Sequence, residues 1–128
     1  MAAGTAQTDI ARDPDDVWKL VGDFGGLASW MPGIDQCDLD GDVRAIKTMG
    51  IEIKEQLRAR DDAARTISYS IVDSPMPLEH HLATIAVTPR EGGSHVTWAV
   101  EVRPDEMLGA FLPIYQQSVD ALKARLEQ

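Results

Sequence analysis

Between Ile34 and Arg103 the chain carries six runs with strand character, joined by connections of only a few residues. They are Ile34–Asp40, Val43–Thr48, Ile51–Arg60, Arg65–Val72, Leu78–Thr88 and His95–Arg103, separated by turn-forming residues such as Gly92-Gly93. A parallel pair needs a crossover of about a dozen residues or more, so these runs must pair antiparallel. A weaker run at Thr5–Ile10 brings the expected sheet to seven strands.

Two helical stretches complete the pattern. Asp13-Pro14 opens the first: Asp13 suits a cap, Pro14 the first helical position, and Asp15 and Asp16 the positive end of the dipole. Val17, Leu20, Val21 and Phe24 form its apolar stripe, Gly25-Gly26 should break it, and a short turn over Leu27–Ser29 should follow. The second spans Asp105–Glu127, where Leu108, Leu112, Tyr115, Val119, Leu122 and Leu126 recur at spacings of four and three and should face the sheet. Pro113 cannot donate to the carbonyl of Gly109, which predicts a kink or a late helix start near Leu112. The expected fold is α+β, one domain over residues 1–128: a curved antiparallel sheet with a long C-terminal helix against it.

Composition removes several functions. A net charge of −9 argues against nucleic acid and anionic membranes as partners. No run approaches the ~18 to 20 apolar residues of a membrane span, and Met1–Thr8 does not resemble a secretory signal. One cysteine, Cys37, allows no internal disulfide, which fits a reducing cytoplasm. Cys37 sits among acids that should raise its pKa, so it is a poor nucleophile. The acids from Asp35 to Asp42 suggest a calcium loop, but counted from Asp38 the required Gly is Val43 and the required Glu is Met49.

The period-two alternation of strands identifies the inward faces. In the third run the apolar face is Ile51, Ile53, Leu57 and Ala59, and Glu55 stands in the middle of it. If Met49-Gly50 is a two-residue loop, Thr48 pairs with Ile51, Ile46 with Ile53 and Arg44 with Glu55, making the last two cross-strand neighbours on the inner face. Tyr69 and Ile71 share a face with Ile67, and Trp98 and Val100 with Val96 and Val102. In the following alternation Ala83, Ile85 and Val87 carry His81 inward and His80 outward. Adjacent histidines on opposite faces cannot chelate one ion, and no metal site is expected. An apolar surface that also holds Arg44, Glu55, Tyr69 and His81 is the signature of a small-molecule pocket. The alternative is an internal salt bridge that only fixes register.

The motifs in order resemble the START-like (SRPBCC) superfamily, also called the helix-grip or birch-pollen-allergen fold. Within it the likeness is to the polyketide cyclase/dehydrase-like and abscisic-acid-receptor-like branches. The matching residues are Pro14-Asp15-Asp16-Val17-Trp18, Gly22-Asp23-Phe24 and Trp30-Met31-Pro32-Gly33. Val43-Arg44, Gly50 through Glu55-Gln56-Leu57 with Asp61-Asp62, Ile67-Ser68-Tyr69-Ser70-Ile71, and His81 to Val87 with the Trp98 strand continue it. The resemblance covers residues 5 to 127. It implies seven strands gripping the C-terminal helix, two short helices between strands 1 and 2, and a cavity between sheet and helix. Family pockets often carry Arg and Glu at the places of Arg44 and Glu55, and a Tyr where this chain has His81. The receptors' gate and latch would fall at Thr48–Gly50 and Ser74–Pro77, whose characteristic sequences are absent, so hormone reception does not carry over.

The expected lining is Arg44, Ile46, Ile53, Glu55 and Leu57 from the first hairpin. Tyr69, Ile71, His81, Ala83, Trp98 and Val100 would join from the later strands, with Leu108, Phe111, Leu112 and Tyr115 from the helix. The mouth should lie by Met49-Gly50, the Pro75–Pro77 loop and the Gly109–Pro113 break. The favoured function is binding of an apolar small molecule such as a lipid, polyketide or aromatic metabolite. The second is a cyclase or dehydratase with Glu55 or His81 as general acid or base and Arg44 or Tyr69 stabilising oxyanion charge. The third is a protein-interaction module, a homodimer through the uncharged outer face at Leu82, Thr84 and Ala86 being one form of it. No nucleophile elbow, Cys–His pair or phosphate loop is visible, and no cofactor is expected.

Overall fold

A computed structural model describes residues 1–128. Seven strands form one sheet: β1 (Ala2–Ile10), β2 (Ile34–Asp40), β3 (Val43–Thr48), β4 (Ile51–Asp61), β5 (Thr66–Asp73), β6 (His80–Arg90) and β7 (Gly93–Arg103). Their order is β1-β7-β6-β5-β4-β3-β2, and every pair is antiparallel. Consecutive hairpins from β2 to β7 follow from the short connections, and only β1 joins the far edge, beside β7. Helix α1 (Pro14–Val21) and a 3₁₀ segment (Phe24–Ser29) lie between β1 and β2, and α2 (Leu108–Leu126) closes the chain.

Helix α1 begins at Pro14 as its residues require, but the Asp13 side chain makes no cap. The Asp13 carbonyl instead accepts from the backbone N–H groups of Asp16 and Val17. Helix α1 already ends at Val21, before Gly25-Gly26, and at Gly26 the backbone leaves helical geometry and kinks. Both glycines lie inside the 3₁₀ segment, which places Phe24 and Leu27 in the core.

Helix α2 begins at Leu108, following a 3₁₀ turn over Asp105–Met107, and runs through Pro113. The late start near Leu112 is therefore corrected. Gly109 and Pro113 are both exposed, so the carbonyl left without a donor lies at the solvent side, and Gly109 has no side chain to crowd the ring.

The alternation holds along β6 and β7, where His81, Ala83, Ile85 and Val87, and Val96, Trp98, Val100 and Val102, are all buried. On β4 it fails at one end. Leu57 pairs with Tyr69 but Ala59 pairs with Ser68, so Arg58 is an extra residue and Ala59 turns out to solvent. A second irregularity leaves Val72 of β5 unpaired and exposed. The core is continuous from α1 and the 3₁₀ segment, across β5–β7, to Val119 and Leu122 of α2.

Candidate functional site: a cavity with a polar wall

The β3–β4 hairpin sets the first half of the wall. Met49 and Gly50 both have positive φ, 51° and 77°, as a tight two-residue hairpin loop requires. That loop fixes the register Thr48↔Ile51, Ile46↔Ile53 and Arg44↔Glu55. Arg44 and Glu55 are 4% and 7% exposed, so neither charge is solvated. Arg44 Nε and Nη2 contact Glu55 Oε1 at 2.9 and 2.7 Å, and Nη1 donates to the Phe24 carbonyl at 3.0 Å. The guanidinium lies 4.0 Å from the Phe24 ring centre and 4.7 Å from that of Tyr69. All three Arg44 nitrogens are therefore engaged within the protein. Burial pushes the Glu55 carboxyl above its ordinary value, and the Arg44 charge and hydrogen bond pull it partly back.

The second half forms where β5 and β6 part. Their ladder ends at Tyr69↔Ala83, and beyond it the Ile71 N–H donates to the His81 imidazole Nδ1 at 3.2 Å. A backbone N–H can only donate, so Nδ1 is unprotonated and Nε2 carries the hydrogen. Burial, with His80 nearby, lowers the His81 pKa to about 4 and keeps the ring neutral. Nε2 then donates to the Tyr115 hydroxyl at 3.1 Å. Trp98 Nε1 donates to the Tyr69 hydroxyl at 3.1 Å, and the two tyrosine oxygens are 3.5 Å apart. Trp98 and Tyr115 stack with ring centres 4.1 Å apart. Burial raises the pKa of both phenols, which stay protonated.

Between this wall and α2 lies a cavity of about 290 Å³, with 14 of its 20 lining residues hydrophobic. Ile46, Ile53, Glu55, Tyr69, Ile71, Trp98, Phe111 and Tyr115, all singled out in the sequence, line it. Arg44, Leu57, His81, Ala83, Val100, Leu108 and Leu112 do not. Arg44 is sealed behind Glu55 and the aromatic rings, and His81 stands behind Tyr115. Ala83 and Val100 are closed into the core. Leu108 and Leu112 face β1, filling the space that a side chain on Gly4 would take.

Sequence reasoning missed Leu27, Met31–Ile34, Thr48, Ile51, Ile114, Gln117 and Ser118 among the lining. Parity on β3 and β4 carried a signal for Thr48 and Ile51. The Met31–Ile34 segment had none, because its place over the cavity is set by tertiary packing. Met49 and Met76 stand at the expected mouth, and Met49 is 72% exposed.

Cys37 is half-buried, and burial rather than its acidic neighbours is the main cause of its raised pKa. No group of three or more His, Cys, Asp or Glu side chains is placed to hold a metal ion. No helix is long and apolar enough to cross a membrane. A shallow depression of about 370 Å³ on the outer face of β1, β7 and β6 includes Leu82 and Thr84, but not Ala86.

The comparisons with known proteins agree with this geometry. XoxI from Bacillus cereus is 32% identical, with a TM-score of 0.93 over 98% of this chain and 96% of its own. A Bacillus thuringiensis protein is 28% identical, with a TM-score of 0.91 over 99% of this chain and 100% of its own. Ginseng major latex-like protein 151 from Panax ginseng is 19% identical and shares the fold, with a TM-score of 0.81 over 99% of this chain and 98% of its own. No curated protein matches the chain. The family described as polyketide cyclase/dehydrase and lipid transport matches residues 1–127. With its seven-stranded sheet gripping α2, the chain belongs to that family, within the START-like superfamily.

Proposed function

We propose that this protein binds a small apolar molecule in the cavity between sheet and α2, as a carrier or sensor and not as a catalyst. The observation that carries this reading is the predominantly apolar cavity of about 290 Å³, which has Glu55 as its one charged lining residue. Its size lies at the small end of the ~300–1,000 Å³ typical of ligand pockets. A compact aromatic or short-chain molecule fits that size better than a large polyketide or a phospholipid. The family's hydrophobic ligand-binding fold supports the same reading.

Catalysis has weaker support. Both His81 nitrogens are engaged and the ring stands behind the cavity wall. Arg44 has its nitrogens bound to Glu55 and Phe24, which leaves it poorly placed to meet an oxyanion. Native mass spectrometry of protein purified from its source organism, followed by solvent extraction, tests the proposal. The expected result is one bound apolar species, recovered unchanged after incubation. Conversion of that species by the protein would overturn the carrier reading in favour of an enzyme.

A further inference from the structure

The polar wall carries information about the ligand's functional group. Tyr69 and Tyr115 are both protonated, so the pair holds two hydroxyl protons. Trp98 Nε1–H and His81 Nε2–H are fixed donors, and each takes a lone pair of one phenol. The only protein acceptor near either hydroxyl is the other tyrosine oxygen, 3.5 Å away. Whichever phenol donates across that gap, one proton remains without a protein acceptor. Either hydroxyl can rotate to donate across the gap, and both residues line the cavity, so the spare proton belongs to the pair.

Glu55 supplies the complementary group. Both Arg44 contacts end on Oε1, while Oε2 has no hydrogen-bond partner in the protein and is not among the sealed, unpartnered polar atoms. No hydrogen bond joins Glu55 to either tyrosine, so the leftover donor and the free acceptor remain separate features of one wall. The lining holds no Lys, Arg or His, so nothing in it offsets a ligand's negative charge.

Resting on the reading of the cavity as a binding site, we propose that its ligand is a neutral molecule with a hydroxyl group. That hydroxyl accepts from the Tyr69–Tyr115 pair and donates to Glu55. Carboxylates, free fatty acids included, are rejected: their charge would be desolvated in a mainly apolar lining that holds no cation. His81 and Trp98 act as positioning residues, because they occupy the phenol lone pairs and turn the spare proton toward the cavity.

Four probes of one shape separate the contributions: 2-naphthol, 2-methoxynaphthalene, naphthalene and 2-naphthoate, titrated at pH 7 into ¹⁵N-labelled full-length protein. The expected order of affinity is 2-naphthol, then the methyl ether, then naphthalene, with 2-naphthoate weakest. Each hydrogen bond should contribute roughly three- to tenfold. Tyr115→Phe alone leaves the Tyr69 proton without a protein acceptor, so the test removes both hydroxyls: the Tyr69→Phe, Tyr115→Phe double variant should lower 2-naphthol affinity by a similar factor and naphthalene affinity by less. Failure of every probe to shift cavity-lining amides would overturn the binding-site reading itself. Binding of 2-naphthoate or naphthalene as tightly as 2-naphthol would overturn the hydroxyl assignment alone. Equal affinity for the methyl ether and 2-naphthol would overturn donation to Glu55. These comparisons use the unaltered protein, so they stand even if the double variant does not fold.

Discussion

At the residue scale, the Arg44–Glu55 pair has two separable roles. A buried pair that loses one partner leaves an uncompensated charge, which typically costs about 3–5 kcal/mol, whereas replacing both partners with apolar residues is often close to neutral. Arg44→Met and Glu55→Leu should therefore each destabilise the protein by about that much, while the double variant loses far less than their sum, as measured by urea unfolding. Ligand affinity should not recover in the double variant, because the Oε2 acceptor is gone. Recovery of stability and affinity together would reduce the pair to a register device.

His81 sets a second expectation at this scale. Its folded pKa of about 4 lies below the ordinary 6.5, so on acidification the unfolded chain takes up the proton first. The stability that the neutral ring supports is complete above about 6.5 and is lost as pH falls toward 4. The gap corresponds to about 3 kcal/mol. Glu55 acts in the opposite sense: its raised folded value makes the native state the first to protonate, which offsets part of the loss. His81→Gln keeps an N–H near Nε2 and removes the titration, so the difference between its stability–pH curve and that of the parent isolates the histidine. Nitrogen NMR should show His81 as the Nε2–H tautomer, titrating near pH 4.

At the element scale, the β3–β4 hairpin fixes the site and also carries a conformational cost. Met49 adopts φ 51°, where an ordinary L-residue is strained by roughly 1 kcal/mol or more and Asn is better tolerated. Its side chain is largely exposed beside the cavity mouth. Met49→Asn should raise stability in urea by about 0.5–1 kcal/mol and weaken apolar ligand binding. A gain in stability with no loss of affinity would mean that the methionine is not part of the lip. The parting of β5 and β6 beyond Tyr69↔Ala83 is the other decisive feature, since it leaves the Ile71 N–H to orient His81.

At the scale of the whole molecule, an apolar cavity forfeits packing that a solid core would have. Ile53 lies half-buried on the cavity wall. Ile53→Phe should fill part of the space, raising the thermal midpoint of the free protein while reducing 2-naphthol affinity at least tenfold. Calorimetry and titration of one sample check both. A variant that gains stability and keeps full affinity would place the ligand elsewhere. Ligand itself should stabilise the parent by about 2.7 kcal/mol at a hundred times its Kd.

The sequence by itself determined the antiparallel order of the hairpins, because connections so short permit nothing else. It also determined the Arg44↔Glu55 contact, because the two-residue Met49-Gly50 loop fixes register locally and alternation turns both side chains inward. The inward direction of Tyr69, His81 and Trp98 followed from the same period of two. Only the tertiary structure decided which inward residues meet open space. Val100 and Trp98 share one face of one strand, yet Trp98 lines the cavity and Val100 is closed into the core. The difference depends on where α2 and the Met31–Ile34 segment come to rest, tens of residues away in the chain. Likewise the β4 bulge at Arg58 turned Ala59 outward against its apolar alternation. Local patterns fix direction relative to a strand; long-range packing fixes what stands opposite, and a cavity is defined by what does not.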